Sequence, residues 1–113
     1  MKSKLLALSK NEDFRKLLKL KKTTNKYVTI FFGCLNNKNK NNLNISFVAK
    51  KKIGNAVKRN KIKRRLRNIM NDAYKNISIN FNYSYLVIAK SAMLDNEFKK
   101  IKETLFVEFK KIK

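Results

Sequence analysis

At 113 residues and 43% apolar composition, the chain has the size of one ordinary domain and material for one modest core, so a single domain over 1–113 is expected. Its 29 Lys and Arg against 7 Asp and Glu give a formal charge of +22, which excludes an ordinary neutral enzyme surface and calls for a polyanionic partner, nucleic acid first. One cysteine excludes an intramolecular disulfide, and the absence of histidine removes the usual zinc ligand set. No apolar run approaches the roughly 20 residues that span a bilayer, and the start is too short for a signal-peptide core, so a reducing cytoplasm is expected. The charge is uneven: no carboxylate lies between Asp13 and Asp72, an interval with eighteen Lys or Arg residues. Their mutual repulsion predicts a marginal free protein, locally disordered until anions neutralise it.

In chain order, Ser9 followed by Glu12 is a capping-box pattern, and Phe14, Leu17 and Leu18 recur at helical spacing, predicting a helix over about 9–22. Thr23 to Lys26 read as a polar connection. The run Tyr27-Val28-Thr29-Ile30-Phe31-Phe32 is β-branched and aromatic and predicts a strand covered on both faces, with Cys34 at its end as a small buried hydrophobe. The Asn/Lys stretch 36–42 reads as an exposed connection. Leu43, Ile45, Phe47 and Ala49 alternate with Asn44, Ser46 and Val48, the pattern of a strand with one buried face.

After Gly54, Ile62, Leu66, Ile69, Met70 and Ala73 fall on one stripe of a helix over about 55–74, whose other faces are basic or amide. A loop over 76–82 leads to a strand over 83–89. Phe98, Ile101, Leu105, Phe109 and Ile112 then mark a core-facing helix over about 95–111, with Asp95 as its N-cap. Helix, strand, strand, helix, strand, helix predicts an α+β sandwich of helices on a small sheet.

The functional signal lies in residues 50–67, which pack ten cations into eighteen positions. At 100° per residue, Asn60, Lys61, Arg64, Arg67 and Asn68 gather opposite the stripe headed by Ile62 and Leu66. Four of the five arginines, Arg59, Arg64, Arg65 and Arg67, fall here although lysine predominates elsewhere. The guanidinium fork binds phosphate through two hydrogen bonds and stacks on unpaired bases, which favours structured RNA over diffuse attraction. Gly54 permits close backbone approach, and Asn55 is suited to capping the helix or meeting an anion. A solvated amphipathic helix is the alternative, but seven positive charges from Lys58 to Arg67 without a carboxylate repel one another.

The stretch Lys51-Lys52-Ile53-Gly54-Asn55-Ala56-Val57-Lys58-Arg59-Asn60-Lys61-Ile62-Lys63-Arg64 closely resembles the signature of the bacterial ribonuclease P protein family. The resemblance extends to Lys10-Asn11-Glu12-Asp13-Phe14, to Phe47 through Lys52, and to Leu86-Val87-Ile88-Ala89-Lys90. Two positions depart from the family pattern. Its Arg-Asn-Arg reads Arg59-Asn60-Lys61 here, keeping charge but losing a fork, and Leu18 stands one turn after Phe14 with volume but no aromatic face.

The resemblance implies the fold of the second domain of ribosomal protein S5, with a left-handed crossover between parallel strands against the usual preference. It also implies an accessory subunit of an endoribonuclease that matures the 5′ ends of tRNA. In that reading the catalytic RNA carries out the hydrolysis with Mg2+ held on the RNA. Seven scattered carboxylates and no histidine build neither the dyads nor the metal triads of protein nucleases, so no catalytic or metal residue is assigned to this chain.

By resemblance, Gly54, Asn55, Arg59, Asn60, Lys61, Lys63, Arg64 and Arg67 contact the catalytic RNA. Phe14, Leu18, Lys50, Lys51 and Lys52 meet the single-stranded leader of precursor tRNA in a cleft between the first helix and the sheet. Phe14 reads equally as a core residue, and the three lysines as a solvated cluster. No protein partner and no membrane are required. A ribosomal or other non-catalytic RNA-binding protein, or a polycation for lipid or DNA, would share the charge but not the signature.

Overall fold

The structure is a computed structural model that describes residues 5–6, 11–35, 43–77, 79, 83–95 and 97–112. The expected connection at 36–42, part of that at 76–82, and Ser9 of the capping pattern lie outside them. Its elements are β1 (Leu5–Leu6), α1 (Asn11–Leu18), β2 (Lys21–Thr24), β3 (Val28–Gly33), β4 (Leu43–Val48), a 3-10 turn (Lys51–Ile53), α2 (Ala56–Asn76), β5 (Ser84–Ala89), α3 (Ala92–Asp95) and α4 (Phe98–Lys111). The sheet runs β1-β4-β5-β3-β2. Strands β4 and β5 are parallel neighbours joined through α2, while β3 is antiparallel to both β5 and β2.

The stripe Ile62, Leu66, Ile69, Met70 and Ala73 is buried as its periodicity predicts. It shares one core with Val28, Ile30, Ile45, Tyr85 and Val87 of the sheet and with Ile101, Leu105 and Phe109 of α4. Each fully buried Leu or Ile contributes roughly 1.5–3 kcal/mol, so this stripe is what fastens a strongly basic helix to the domain. Lys102 Nζ adds a 2.7 Å ion pair to Asp72, tying α4 to α2. Burial, and secondarily Tyr83 and Cys34 when ionised, pushes the Tyr85 phenol well above its ordinary value. On the opposite face of the sheet, α1 seats Leu17 against Leu86, with Phe14, Phe31, Val48 and Ile88 around them.

Five local expectations are corrected. Helix α1 ends at Leu18 rather than near residue 22, because Lys19 and Leu20 close it with bonds to Lys16 and Leu17. Lys21–Thr24 then pair with β3 as an edge strand, which suits β-branched Thr23 and Thr24. Asn44 and Ser46 are buried along with their apolar neighbours, since β4 lies inside the sheet between β1 and β5. Cys34 is exposed, because β3 stops at Gly33, the last residue paired with β5. Asp95 closes the short α3 instead of capping the last helix: Met93 is drawn fully into the core, and α4 starts only at Phe98 after an extended Glu97.

Leu66→Ala leaves a cavity where α2 meets the sheet and lowers unfolding free energy by about 2–5 kcal/mol, read from urea denaturation. An unchanged midpoint would mean that the helix is not anchored by this stripe.

Candidate nucleic-acid interface

Strand β4 delivers the chain through Lys50 into the 3-10 turn, and the amide of Gly54 closes that turn on the Lys51 carbonyl. A Cβ at position 54 would meet the Lys58 side chain at 2.9 Å, so glycine lets the turn sit close over the first turn of α2. Asn55 is the N-cap: its Oδ1 accepts from the Lys58 amide at 3.0 Å. That bond satisfies one of the amides a helix start leaves without an intrahelical partner. The first turn of α2 contains no acidic residue.

Beyond the cap, Asn60, Lys61, Arg64, Arg67 and Asn68 are all exposed and share the face opposite the buried stripe. Lys63 and Arg59 are half-buried. The Nε of Arg59 is buried with no hydrogen-bond acceptor in the protein, a donor left unsatisfied at a cost of about 1–3 kcal/mol. Arg65 turns the other way and donates to the Met93 carbonyl over a long 3.5 Å contact, which removes it from the outward set. Among the described residues, none of the cations between Lys58 and Arg67 forms an ion pair, so the face keeps its charge for a partner.

A second basic feature opens beside the start of α2. A cavity of about 600 Å³ is lined by Thr29, Lys50, Lys52, Ile53, Ile88, Ala89, Lys90 and Ser91. Of the residues assigned to a leader by resemblance, Lys50 and Lys52 line it. Lys51 is exposed on the same turn but does not line it, and Phe14 and Leu18 stand on α1. Phe14 is half-buried in the cluster that also holds Ile88, a cavity residue, while Leu18 is 49% exposed. The cavity thus adjoins the α1 side of the sheet, joining an apolar wall to a cationic rim.

Lys90, Thr29 and Ser91 were not singled out from the sequence as site residues. Lys90 closes the apolar run of β5, and one lysine in so lysine-rich a chain gives no separate signal. Among the described residues, no three His, Cys, Asp or Glu come together to hold a metal, and no helix is long and apolar enough to cross a membrane.

A family model described as Ribonuclease P matches residues 2–113. The chain belongs to the ribonuclease P protein family. It is 34% identical over 98 residues to the ribonuclease P protein component of Mesoplasma florum, covering 87% of this chain and 86% of that one. With the component from Alkaliphilus oremlandii it shares 30% over 107 residues, covering 93% and 89% respectively. The solved Staphylococcus aureus RNase P protein superposes with a TM-score of 0.76 at 27% identity, covering 94% of this chain and 93% of that one. This chain is therefore the protein subunit of a ribonucleoprotein endoribonuclease that matures tRNA 5′ ends, and its partner is RNA.

Asn55→Ala removes the cap of α2 and lowers unfolding free energy by about 1 kcal/mol, while Asn55→Ser retains most of it. Urea melts of the two variants measure this, and equal melts for Ala and wild type would contradict the capping role.

Proposed function

We propose that the outward face of α2 grips the catalytic RNA of ribonuclease P and that the cavity between the 3-10 turn and β5 receives the 5′ leader of precursor tRNA. The observation that carries the first half is the face itself: Asn60, Lys61, Arg64 and Arg67 are exposed, held in line by a buried stripe, and unpaired by any carboxylate among the described residues. Arginine forks at 64 and 67 suit bidentate contact with phosphates of a folded RNA, and Lys61 supplies charge where the family places a third fork. Arg59 is half-buried beside this face and adds its positive charge to it. Gly54, Asn55 and Lys63 border this surface at the start and side of the helix.

For the leader, Lys50, Lys52 and Lys90 ring a cavity with Ile53 and Ile88 in its wall. Cations for phosphates beside apolar surface for bases is the general arrangement for holding a single strand without reading its sequence. Phe14 and Leu18 on α1 extend the apolar side, and Lys51 adds charge at the rim. The protein's contribution is then electrostatic and positional. It raises the affinity for substrate over leaderless product, while the RNA performs the hydrolysis with Mg2+ bound on the RNA. No protein group is assigned to bond making or breaking, and the protein works in the cytoplasm with that RNA.

Reconstitution decides the reading. Added to a bacterial ribonuclease P RNA at low magnesium, the protein restores leader removal from precursor tRNA, and no stimulation by folded protein would overturn the proposal. Arg64→Ala and Arg67→Ala each weaken binding of the catalytic RNA by about 1–3 kcal/mol in a direct titration. Wild-type affinity in both would remove α2 from the interface, and equal competition by duplex DNA or anionic vesicles would favour an unspecific polycation.

A further inference from the structure

Among the described residues, the carboxylate of Glu108 is one of four buried polar or charged side chains, and it lies on α4, on the side of the sheet away from the cavity. Its Oε2 accepts from the Thr23 hydroxyl at 2.6 Å and its Oε1 from the Asn25 side-chain amide at 3.2 Å. Asn25 in turn builds the β2–β3 turn. Its Oδ1 accepts from the amides of Tyr27 and Val28 at 2.8 and 3.0 Å, and its own amide donates to the Val28 carbonyl. A buried carboxylate on the last helix thus fixes the shape of a turn at the far edge of the sheet.

That turn holds Lys90. The ammonium donates to Thr24 Oγ1 at 2.8 Å and to the Asn25 carbonyl at 2.7 Å, and the Lys90 amide donates to the Tyr27 carbonyl at 2.8 Å. An ammonium has three donors, so these two bonds orient Nζ and leave one donor for a ligand. The alternation of β2 supplies the link across the sheet. Thr23 lies opposite buried Ile30 and shares its face towards α4, whereas Thr24 lies opposite Thr29, a cavity residue, on the other face. The Thr24 and Thr29 hydroxyls are 3.0 Å apart. Glu108 grips one face of the edge strand, and the other face aims Lys90.

We infer that Glu108 is a positioning residue for the leader: through Thr23 and Asn25 it sets the β2–β3 turn that presents the Lys90 ammonium in the cavity. The inference rests on the proposed leader site and adds a residue to it from across the sheet. Glutamine at 108 can still accept from Asn25 and donate to the Thr23 hydroxyl, so the neutral isostere preserves the device and alanine destroys it.

The test uses protein assembled with ribonuclease P RNA and compares affinity for precursor tRNA with affinity for the same tRNA lacking its leader. Lys90→Ala lowers that ratio about tenfold, and Glu108→Ala about three- to fivefold, while Glu108→Gln stays within about twofold of wild type. In the Lys90→Ala background, Glu108→Ala has no further effect, because its action passes through Lys90. Binding of the catalytic RNA, which reads the α2 face, is unchanged by either Glu108 variant. Thr23→Val keeps the β-branched shape and deletes one of the two bonds to Glu108, so it lowers the ratio even if Glu108→Ala does not fold. Additive losses in the double variant, or a full ratio in both Thr23→Val and Glu108→Ala, would overturn the inference while leaving the leader site standing. A full ratio in Lys90→Ala would remove Lys90 from the leader site and the inference with it.

Discussion

A long helix must carry a row of unpaired positive charges and still be fixed to a small domain; the rest of the molecule answers that constraint. Without RNA, the outer face of α2 repels itself. What holds it is the apolar stripe from Ile62 to Ala73 set against the sheet and α4, together with the Asn55 cap and the Lys102–Asp72 ion pair. The stabilising contacts are on one side and the functional charges on the other. Neither can be moved to the opposite face without losing both the core and the interface.

The stripe and the basic face were legible in the sequence because both obey one helical period, which fixes side-chain direction without knowledge of the tertiary fold. The Asn55 cap and the strand that became β5 were legible for other reasons, the short amide side chain at a helix start and the apolar run Leu86-Val87-Ile88. Resemblance added the family, which the comparisons bear out, and the α+β fold agrees with its solved structures. The short edge strand β2 was not legible: Lys21-Lys22-Thr23-Thr24 has no apolar alternation, and its strand state comes from hydrogen bonding to β3. Burial of Asn44 and Ser46 reflects β4's interior place in the sheet, and exposure of Cys34 reflects where pairing with β5 ends. These are properties of strand order, which local composition does not encode.

The second site shows the same division. Lys50 and Lys52 could be found because they adjoin the signature, whereas Lys90 reaches the cavity only through the parallel pairing that sets the end of β5 beside the end of β4. Glu108 lies further still from any sequence signal. It is one carboxylate in a helix with both charges, and its partners Thr23 and Asn25 are 85 and 83 residues away along the chain. The cleft therefore draws on nearly the whole length of the described chain, while the α2 face is the work of a single segment.

The claim on which this depends is that the α2 charges are spent on RNA phosphates. Measuring the affinity of the protein for ribonuclease P RNA across a series of monovalent salt concentrations tests it directly. With about six phosphates neutralised, log affinity falls against log salt with a slope of about −4 to −5. A slope near −1 would mean that the exposed cations of α2 do not touch the RNA, and would contradict the account.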